Sequence, residues 1–271
     1  MEEELQEEQL IKEALELCIS RPFNIEAFAM LHNMLEWDEL PARRRNERLG
    51  VIDFSFSWLR DENLTHAIIR DRLWDWLQAF VIIDDLDDEN ELEPIRAFVS
   101  RGGIELAAQE IDDPDCIFRE ALLSILSWCC MVPEYIPRVM STGIHKMAIR
   151  FVNEDPEEDT AEISMSLLRA LSSLGGPLRD CLLHDGLLEC VRVYIRDLHS
   201  PANDVRLRRA FRAASIITRL ADRDKSGRGK RMLLRHPRII TLTLDMLDRV
   251  LTVGSRGTFS KSFLVPQRQN N

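Results

Sequence analysis

Residues 117–130 read Ile-Phe-Arg-Glu-Ala-Leu-Leu-Ser-Ile-Leu-Ser-Trp-Cys-Cys, a segment in which apolar side chains recur with helical spacing. Ile117, Ala121, Ile125 and Cys129 follow one another at intervals of four residues. This spacing places side chains on one face of an α-helix. The segment therefore predicts an amphipathic helix whose apolar face is buried against neighbouring elements.

Two later segments repeat this pattern: residues 163–174 and residues 205–220, where Phe211 falls on the apolar stripe. Nearer the N-terminus, helical periodicity predicts four more helices at residues 5–19, 28–35, 51–59 and 72–86. Alternating runs of β-branched residues, which are typical of strands, are short and rare. The sequence therefore predicts an all-α protein.

The helices lie within a longer repeat that glycine or proline marks. Gly103, Gly143 and Gly186 open similar segments 40 and 43 residues apart, and Pro237 opens another 51 residues later. Glycine suits the change of direction between two helices because it adopts positive φ without steric strain. The second helices of these repeats are predicted at residues 104–111, 144–152, 187–198 and 239–251, and the short helices at residues 133–140, 177–184 and 226–235.

A three-helix unit of about 40–47 residues is the armadillo period, and a two-helix repeat of similar length is the close alternative. One such unit cannot bury its apolar stripe alone, so the units stack into a curved solenoid. The prediction is an armadillo-like right-handed superhelical solenoid of about four repeats with N-terminal capping helices. Residues 1–70 are predicted to be the cap or degenerate repeats, residues 71–253 the repeats, and residues 254–271 a disordered tail.

Charge is distributed unevenly along the 271 residues. Residues 1–115 carry 29 acidic and 11 basic side chains, whereas residues 200–271 carry 5 and 16. No apolar stretch is long enough for a spanning helix, and the acidic N-terminus has no secretory signal. The six cysteines form no C-x-x-C pair, which indicates reduced, mostly buried thiols in a cytosolic or nuclear protein.

Sequence motifs for catalysis or cofactor binding are absent. The segment Ser226–Lys230 lacks the spacing of a phosphate-binding loop and follows no predicted strand. The six histidines form no metal-binding motif, and the cysteines lack the spacing of zinc ligands. The sequence therefore predicts a protein that is not an enzyme and that holds no cofactor or metal.

Two charged regions could contact partners. The first is an acidic edge that comprises Asp84, Asp85, Asp87 and Asp88, and its alternative interpretation is a solvated helix end. The second is a basic patch that comprises Arg208, Arg212, Arg228, Lys230 and Arg231. A basic stretch permits nucleic-acid binding, but this one carries few aromatic residues for base stacking. Membrane binding is not predicted.

The third helix of an armadillo repeat lines the concave groove, which allows candidate binding residues to be placed. Matching the ends of the three long helices puts two residues of each helix, four positions apart, on one face. This inner-face set comprises Ser124 and Trp128, Arg169 and Ser173, and Ser215 and Arg219. Trp128 is the best candidate for a partner-anchoring residue, and core packing between repeats is the alternative.

Residues 72–221 resemble the armadillo-type nucleotide exchange factors of the 70-kDa heat-shock protein. The segments that carry the resemblance are the acidic run within Ile83–Leu92, Gly102–Ile104, Phe118–Leu123, Leu182–Leu187 and Arg208–Phe211. The sequence departs from that family at Cys130–Pro133, where the family has a Gln-Asn-Asn-Pro-like turn, and in the distance of the acidic run from Gly103.

The resemblance implies a co-chaperone whose concave groove clasps the chaperone's ATPase domain and speeds ADP release. Such an effect is a population shift through differential affinity, without chemistry by this chain. Two alternatives stay open: an armadillo scaffold or adaptor that binds a peptide or helix of another protein, and an RNA-associated helical-repeat subunit.

Overall fold

The computed structural model describes residues 2–82, 89–113, 116–154, 159–173, 177–196 and 204–222, together with Thr241 and Leu244. Within these ranges the regular structure is helical and no strand occurs, as the sequence predicts. No helix in the described part of the chain is both long enough and apolar enough to span a membrane.

Fourteen α-helices are formed by the described residues. In chain order they are α1 (Glu2–Ser20), α2 (Ile25–Met34), α3 (Leu40–Arg48), α4 (Val51–Leu59), α5 (Ala67–Val81), α6 (Glu93–Ser100), α7 (Gly103–Asp112), α8 (Arg119–Cys129), α9 (Ile136–Ser141), α10 (Ile144–Glu154), α11 (Asp159–Leu171), α12 (Pro177–His184), α13 (Leu187–Arg196) and α14 (Asp204–Asp222). Short 3-10 turns precede α6 and α9.

The chain divides into two compact units, residues 1–147 and residues 148–271, here called the N-terminal and C-terminal units. In the N-terminal unit α1 packs against α2, α5 against α8, and α7 against α8. In the C-terminal unit α14 packs against both α11 and α13. The predicted domain boundary at residues 70 and 71 falls inside α5, and the assignment of domains stays a prediction.

Glycines with positive φ mark the start of the second helix of each three-helix group. Gly143 and Gly186 have φ values of 79° and 104°, which confirms the role predicted for them. Gly50, before α4, has a φ of 87° and marks an earlier group that the sequence pattern did not reveal. At Gly103 the prediction was wrong, because the positive φ of 78° belongs to Gly102.

Gly103 is required for a different reason. It is the first residue of α7, and a Cβ atom built on it would lie 2.4 Å from two ring carbons of Phe98. Phe98 itself is completely buried. Because Gly103 has no side chain, the backbone of α7 can lie close to the last turn of α6. Glycine is therefore needed here for close packing and not for positive φ.

Helix α3 was missed because it buries polar side chains instead of an apolar stripe. Arg43 and Asn46 have no exposed surface. Arg43 donates a hydrogen bond from Nη1 to the carbonyl oxygen of Ile82, and Asn46 donates one from Nδ2 to the carbonyl oxygen of Glu36 at 2.7 Å. Hydrophobic periodicity does not predict such a helix, because its buried face carries polar side chains.

An aromatic cluster joins α2 to α4 and α5 in the N-terminal unit. The ring of Trp76 stacks on Phe28 at 4.9 Å between centroids, and Phe28 stacks on Trp58 at 5.9 Å. Trp76 also donates a hydrogen bond from Nε1 to Nδ1 of His32 at 2.9 Å. Burial, followed by the charge of Arg72, lowers the pKa of His32, so the ring stays neutral and can accept this bond.

Five of the six cysteines are buried and none forms a disulfide, which confirms the prediction of free and mostly buried thiols; Cys181 is exposed. Burial raises the pKa of Cys18 to about 11 and that of Cys129 to about 12. These thiols stay protonated at neutral pH, so they are poor nucleophiles and poor metal ligands.

Two predicted core residues are exposed instead. Ile117 is 73% exposed and precedes α8, which begins at Arg119. Phe211 is 54% exposed, although it was expected on the apolar stripe of α14. Helix α5 ends at Val81 rather than continuing to residue 86. Three predicted segments lie outside the described residues: 226–235, 239–251 (Thr241 and Leu244 excepted) and 254–271. Residues 197 and 198 of the helix predicted at 187–198 also lie outside them.

Candidate functional site

Helix α8 supplies the predicted inner-face residues of the N-terminal unit. Leu122, Leu123 and Ile125 are buried, together with Leu126 and Cys129, and fix the orientation of the helix. Ser124 and Trp128 lie one turn apart on the remaining face, and both are half-buried.

The position of Trp128 contrasts with that of the core tryptophans. Trp74 and Trp76 have 0% and 1% of their surface exposed, whereas Trp128 keeps an intermediate exposure at the end of α8. A partly exposed indole retains an apolar surface that a partner can cover. Trp128 is less completely buried than these core tryptophans, and both its role in binding and the alternative of packing between repeats stay predictions.

Helix α5 has the same burial pattern as α8. Asp75 is half-buried between the buried pairs Leu73–Trp74 and Trp76–Leu77, as Ser124 is on α8. Burial, and then the nearby charge of Asp71, raises the pKa of Asp75. Sequence matching did not select Asp75, because it started from the three repeats with clear glycine spacing.

The C-terminal unit holds the other four predicted residues. Arg169 lies near the end of α11, and Ser173 lies in the turn after that helix rather than on it. Ser215 and Arg219 lie one turn apart on α14, and all four are half-buried. Helices α11 and α14 pack together, and Arg219 donates a hydrogen bond from Nη1 to the carbonyl oxygen of Arg169 at 3.1 Å.

Arg212, one residue of the predicted basic patch, is partly neutralised. It forms an ion pair with Glu162 of α11 and reaches the carbonyl oxygen of the same residue at 3.5 Å. Arg208 belongs to α14. Arg228, Lys230 and Arg231 lie outside the described residues, as do Asp84, Asp85, Asp87 and Asp88 of the acidic edge.

The electrostatic environment of Arg169 is unusual for a guanidinium group. Burial lowers its pKa, and the positive charges of Arg219 and Arg212 lower it further. Among the described residues no carboxylate forms an ion pair with Arg169. The predicted inner face of the C-terminal unit therefore carries concentrated positive charge.

Comparison with solved structures assigns the fold. A designed armadillo repeat protein in complex with the peptide (KR)4 superposes with a TM-score of 0.64 over 93% of each chain, at 11% sequence identity. A computationally designed armadillo repeat protein for modular peptide recognition gives a TM-score of 0.66 over 93% of each chain, at 10% identity.

The chain accordingly has an all-α, armadillo-like repeat fold. These structural neighbours are designed binding scaffolds rather than enzymes. No protein-family model and no curated protein matches the sequence.

Proposed function

We propose that this chain is a non-catalytic repeat protein that binds an extended segment of a protein partner on the third helices of its repeats. The observation that carries the proposal is that all six inner-face residues are half-buried and lie beside buried residues of α8, α11 and α14 or of the turn after α11. Such residues present side chains to a partner without being needed to fill the core. The peptide-binding designed proteins of the same fold support this proposal.

Energetics favour Trp128 as the anchor in the N-terminal unit. Tryptophan and arginine are enriched among interface residues whose removal weakens binding most. Trp128 can bury its remaining indole surface against a partner without moving α8, whose buried face is already packed. An anchor held on a rigid helix loses little conformational entropy on binding.

The substitution Trp128→Ala should weaken binding of a selected peptide by about 10-fold or more, because a hot-spot residue contributes about 2 kcal/mol. Linear peptides would be selected from a random displayed library on the full chain, and affinity measured by fluorescence polarisation. Ile117→Ala is the matched control, since Ile117 is 73% exposed and lies just before the same helix. Failure to select any peptide would overturn the proposal. Equal affinity of the Trp128→Ala and Ile117→Ala variants for the peptide would show that Trp128 is not the anchor.

The finer proposal is that the partner is the ATPase domain of a 70-kDa heat-shock protein, and the sequence resemblance supports it. The chain should then accelerate release of fluorescent ADP from a purified chaperone, and Trp128→Ala and Arg169→Glu should each reduce the acceleration. Unchanged release together with no binding in a pull-down would overturn this proposal and leave the scaffold function. The proposed compartment is the cytosol, with the nucleus as the alternative.

A further inference from the structure

The C-terminal unit contains a cluster of three arginines, in which the guanidinium group of Arg219 lies 3.1 Å from the carbonyl oxygen of Arg169. Arg169 on α11 lies close to Arg212 and Arg219 on α14, close enough for both charges to act on it. Arg212 has Glu162 as its ion-pair partner. Arg169 is itself half-buried and has only like charges as its electrostatic neighbours among the described residues.

Such an arrangement is unfavourable in the free protein. A partly desolvated guanidinium group is destabilised by burial and by neighbouring positive charges, and an ion pair or hydrogen bonds must compensate for it. The hydrogen bond from Arg219 ends on the backbone carbonyl of Arg169 and does not reach its guanidinium. An external anion would supply the missing compensation, because guanidinium groups bind carboxylates through two parallel hydrogen bonds.

An apolar side chain lies beside the charges. Phe211, Ser215 and Arg219 follow one another at intervals of four residues on α14 and therefore share one face. Phe211 is 54% exposed. This face consequently offers an aromatic contact two turns before the arginine, a combination that suits a peptide carrying both acidic and apolar residues.

Building on the proposed function, we infer that the C-terminal unit selects an acidic peptide segment, whose carboxylates bind Arg169 and Arg219 and whose apolar residue packs on Phe211. The charge is opposite to that required by the basic peptide of the designed (KR)4 complex. A protein segment fits better than a nucleic acid. Phosphate backbones are bound by well-exposed basic side chains over a wide surface, whereas Arg169 and Arg219 are half-buried between two packed helices.

The test uses the full chain and three fluorescent probes at two salt concentrations. The first is a ten-residue peptide of glutamate and aspartate interspersed with leucine, the second is its counterpart with lysine and arginine in place of the acids, and the third is a 15-nucleotide oligouridine. The acidic peptide should bind most tightly. Arg169→Gln and Arg219→Gln should each weaken its binding about 10- to 100-fold, as expected for loss of a charge-assisted bidentate contact.

Arg192→Gln is the matched control, because it removes one positive charge from the same unit on α13, where Arg192 pairs with Glu189. Its affinity for the acidic peptide should stay within about 2-fold of the wild type, since screened surface charges act weakly at a distance. Arg169→Lys should bind the acidic peptide with intermediate affinity. The lysine keeps the positive charge but lacks the planar guanidinium group that forms two parallel hydrogen bonds with a carboxylate. In the free protein, Arg169→Gln should not lower the melting temperature, since it removes a repulsive charge.

Three outcomes would overturn the inference: tighter binding of oligouridine or of the basic peptide, an equal loss in Arg192→Gln and Arg169→Gln, or a large drop in the melting temperature of Arg169→Gln. If library-selected peptides bind and the acidic probe does not, the inference fails and the scaffold function stands. If no peptide of any composition binds, the proposed function itself fails.

Discussion

Replacing Gly103 by alanine should destabilise the N-terminal unit by about 3 kcal/mol, the upper part of the range for overpacking a core. The added Cβ would lie 2.4 Å from ring carbons of Phe98, well inside van der Waals contact. Phe98 has no exposed surface, and its ring centroid lies 5.5 Å from that of Phe56, so a shift of the ring would disturb a packed core. The clash is therefore relieved only by moving the Phe98 ring against its buried neighbours or by separating α6 from α7. Urea unfolding followed by circular dichroism measures the effect.

Gly143→Ala separates this steric effect from backbone strain. Gly143 has a φ of 79°, and a Cβ built on it would have no neighbour within 4 Å. Alanine there should cost about 1 kcal/mol for the left-handed conformation alone. Shortening the opposing ring with Phe98→Leu should rescue part of the loss in Gly103→Ala, which a double-mutant cycle would detect. Equal destabilisation by the two alanines, or no coupling with Phe98→Leu, would contradict the steric explanation.

Sequence periodicity predicted the helices whose buried face is apolar. Val51–Leu59 and Pro177–His184 were predicted with the bounds that the structure has, and α7, α8 and α10 to within a few residues. Helix α3 was not predicted, because its buried face carries Arg43 and Asn46. Periodicity also predicted that Phe211 lies in the core. The pattern identifies apolar side chains, but it does not show whether another helix covers them.

Ion pairs between helices could not be predicted, because they join residues far apart in the chain. Arg101, after α6, pairs with Asp53 of α4 at 2.7 Å and with Glu47 of α3 at 3.1 Å. Arg138 of α9 forms two hydrogen bonds with Glu105 of α7, at 2.6 and 2.8 Å. The hydrogen bond that Arg101 donates to Asp53 raises the pKa of Arg101, and the hydrogen bond that Arg138 donates to Glu105 lowers the pKa of Glu105. From the sequence alone, these charged side chains are expected to be solvated at the surface.

Sequence matching proposed positions for the candidate site but could not predict their electrostatic environment. Register matching placed Ser124, Trp128, Ser215 and Arg219 on helix faces that are half-buried. It could not show that the charges of Arg219 and Arg212 act on Arg169, because that depends on the packing of α14 against α11. The same register, extended to α5, adds Asp75 to the N-terminal unit. Pattern matching therefore proposes candidate positions. The packing of the helices determines the charges around each position, and with them the charge of a ligand that the position would favour.

Replacing Trp76 by alanine should destabilise the N-terminal unit by about 3–5 kcal/mol, the usual range for a buried aromatic residue. Trp76 is 1% exposed and stacks on Phe28, His32 and Trp37. Its removal leaves a cavity and also takes away the donor that bonds to Nδ1 of His32. Thermal or urea unfolding of the full chain would measure the loss.

The effect should be greatest at the N-terminal helices. Phe28 and His32 both belong to α2, and α1 packs on α2, so the aromatic cluster contributes to holding these two helices to α5. Hydrogen exchange should therefore show lost protection in α2 at temperatures where α8 remains protected. Trp128→Ala is the matched control and should cost less than about 1.5 kcal/mol, because part of that side chain is already exposed to water. A Trp76→Ala variant as stable as this control would show that α1 and α2 are held to the repeats by other contacts.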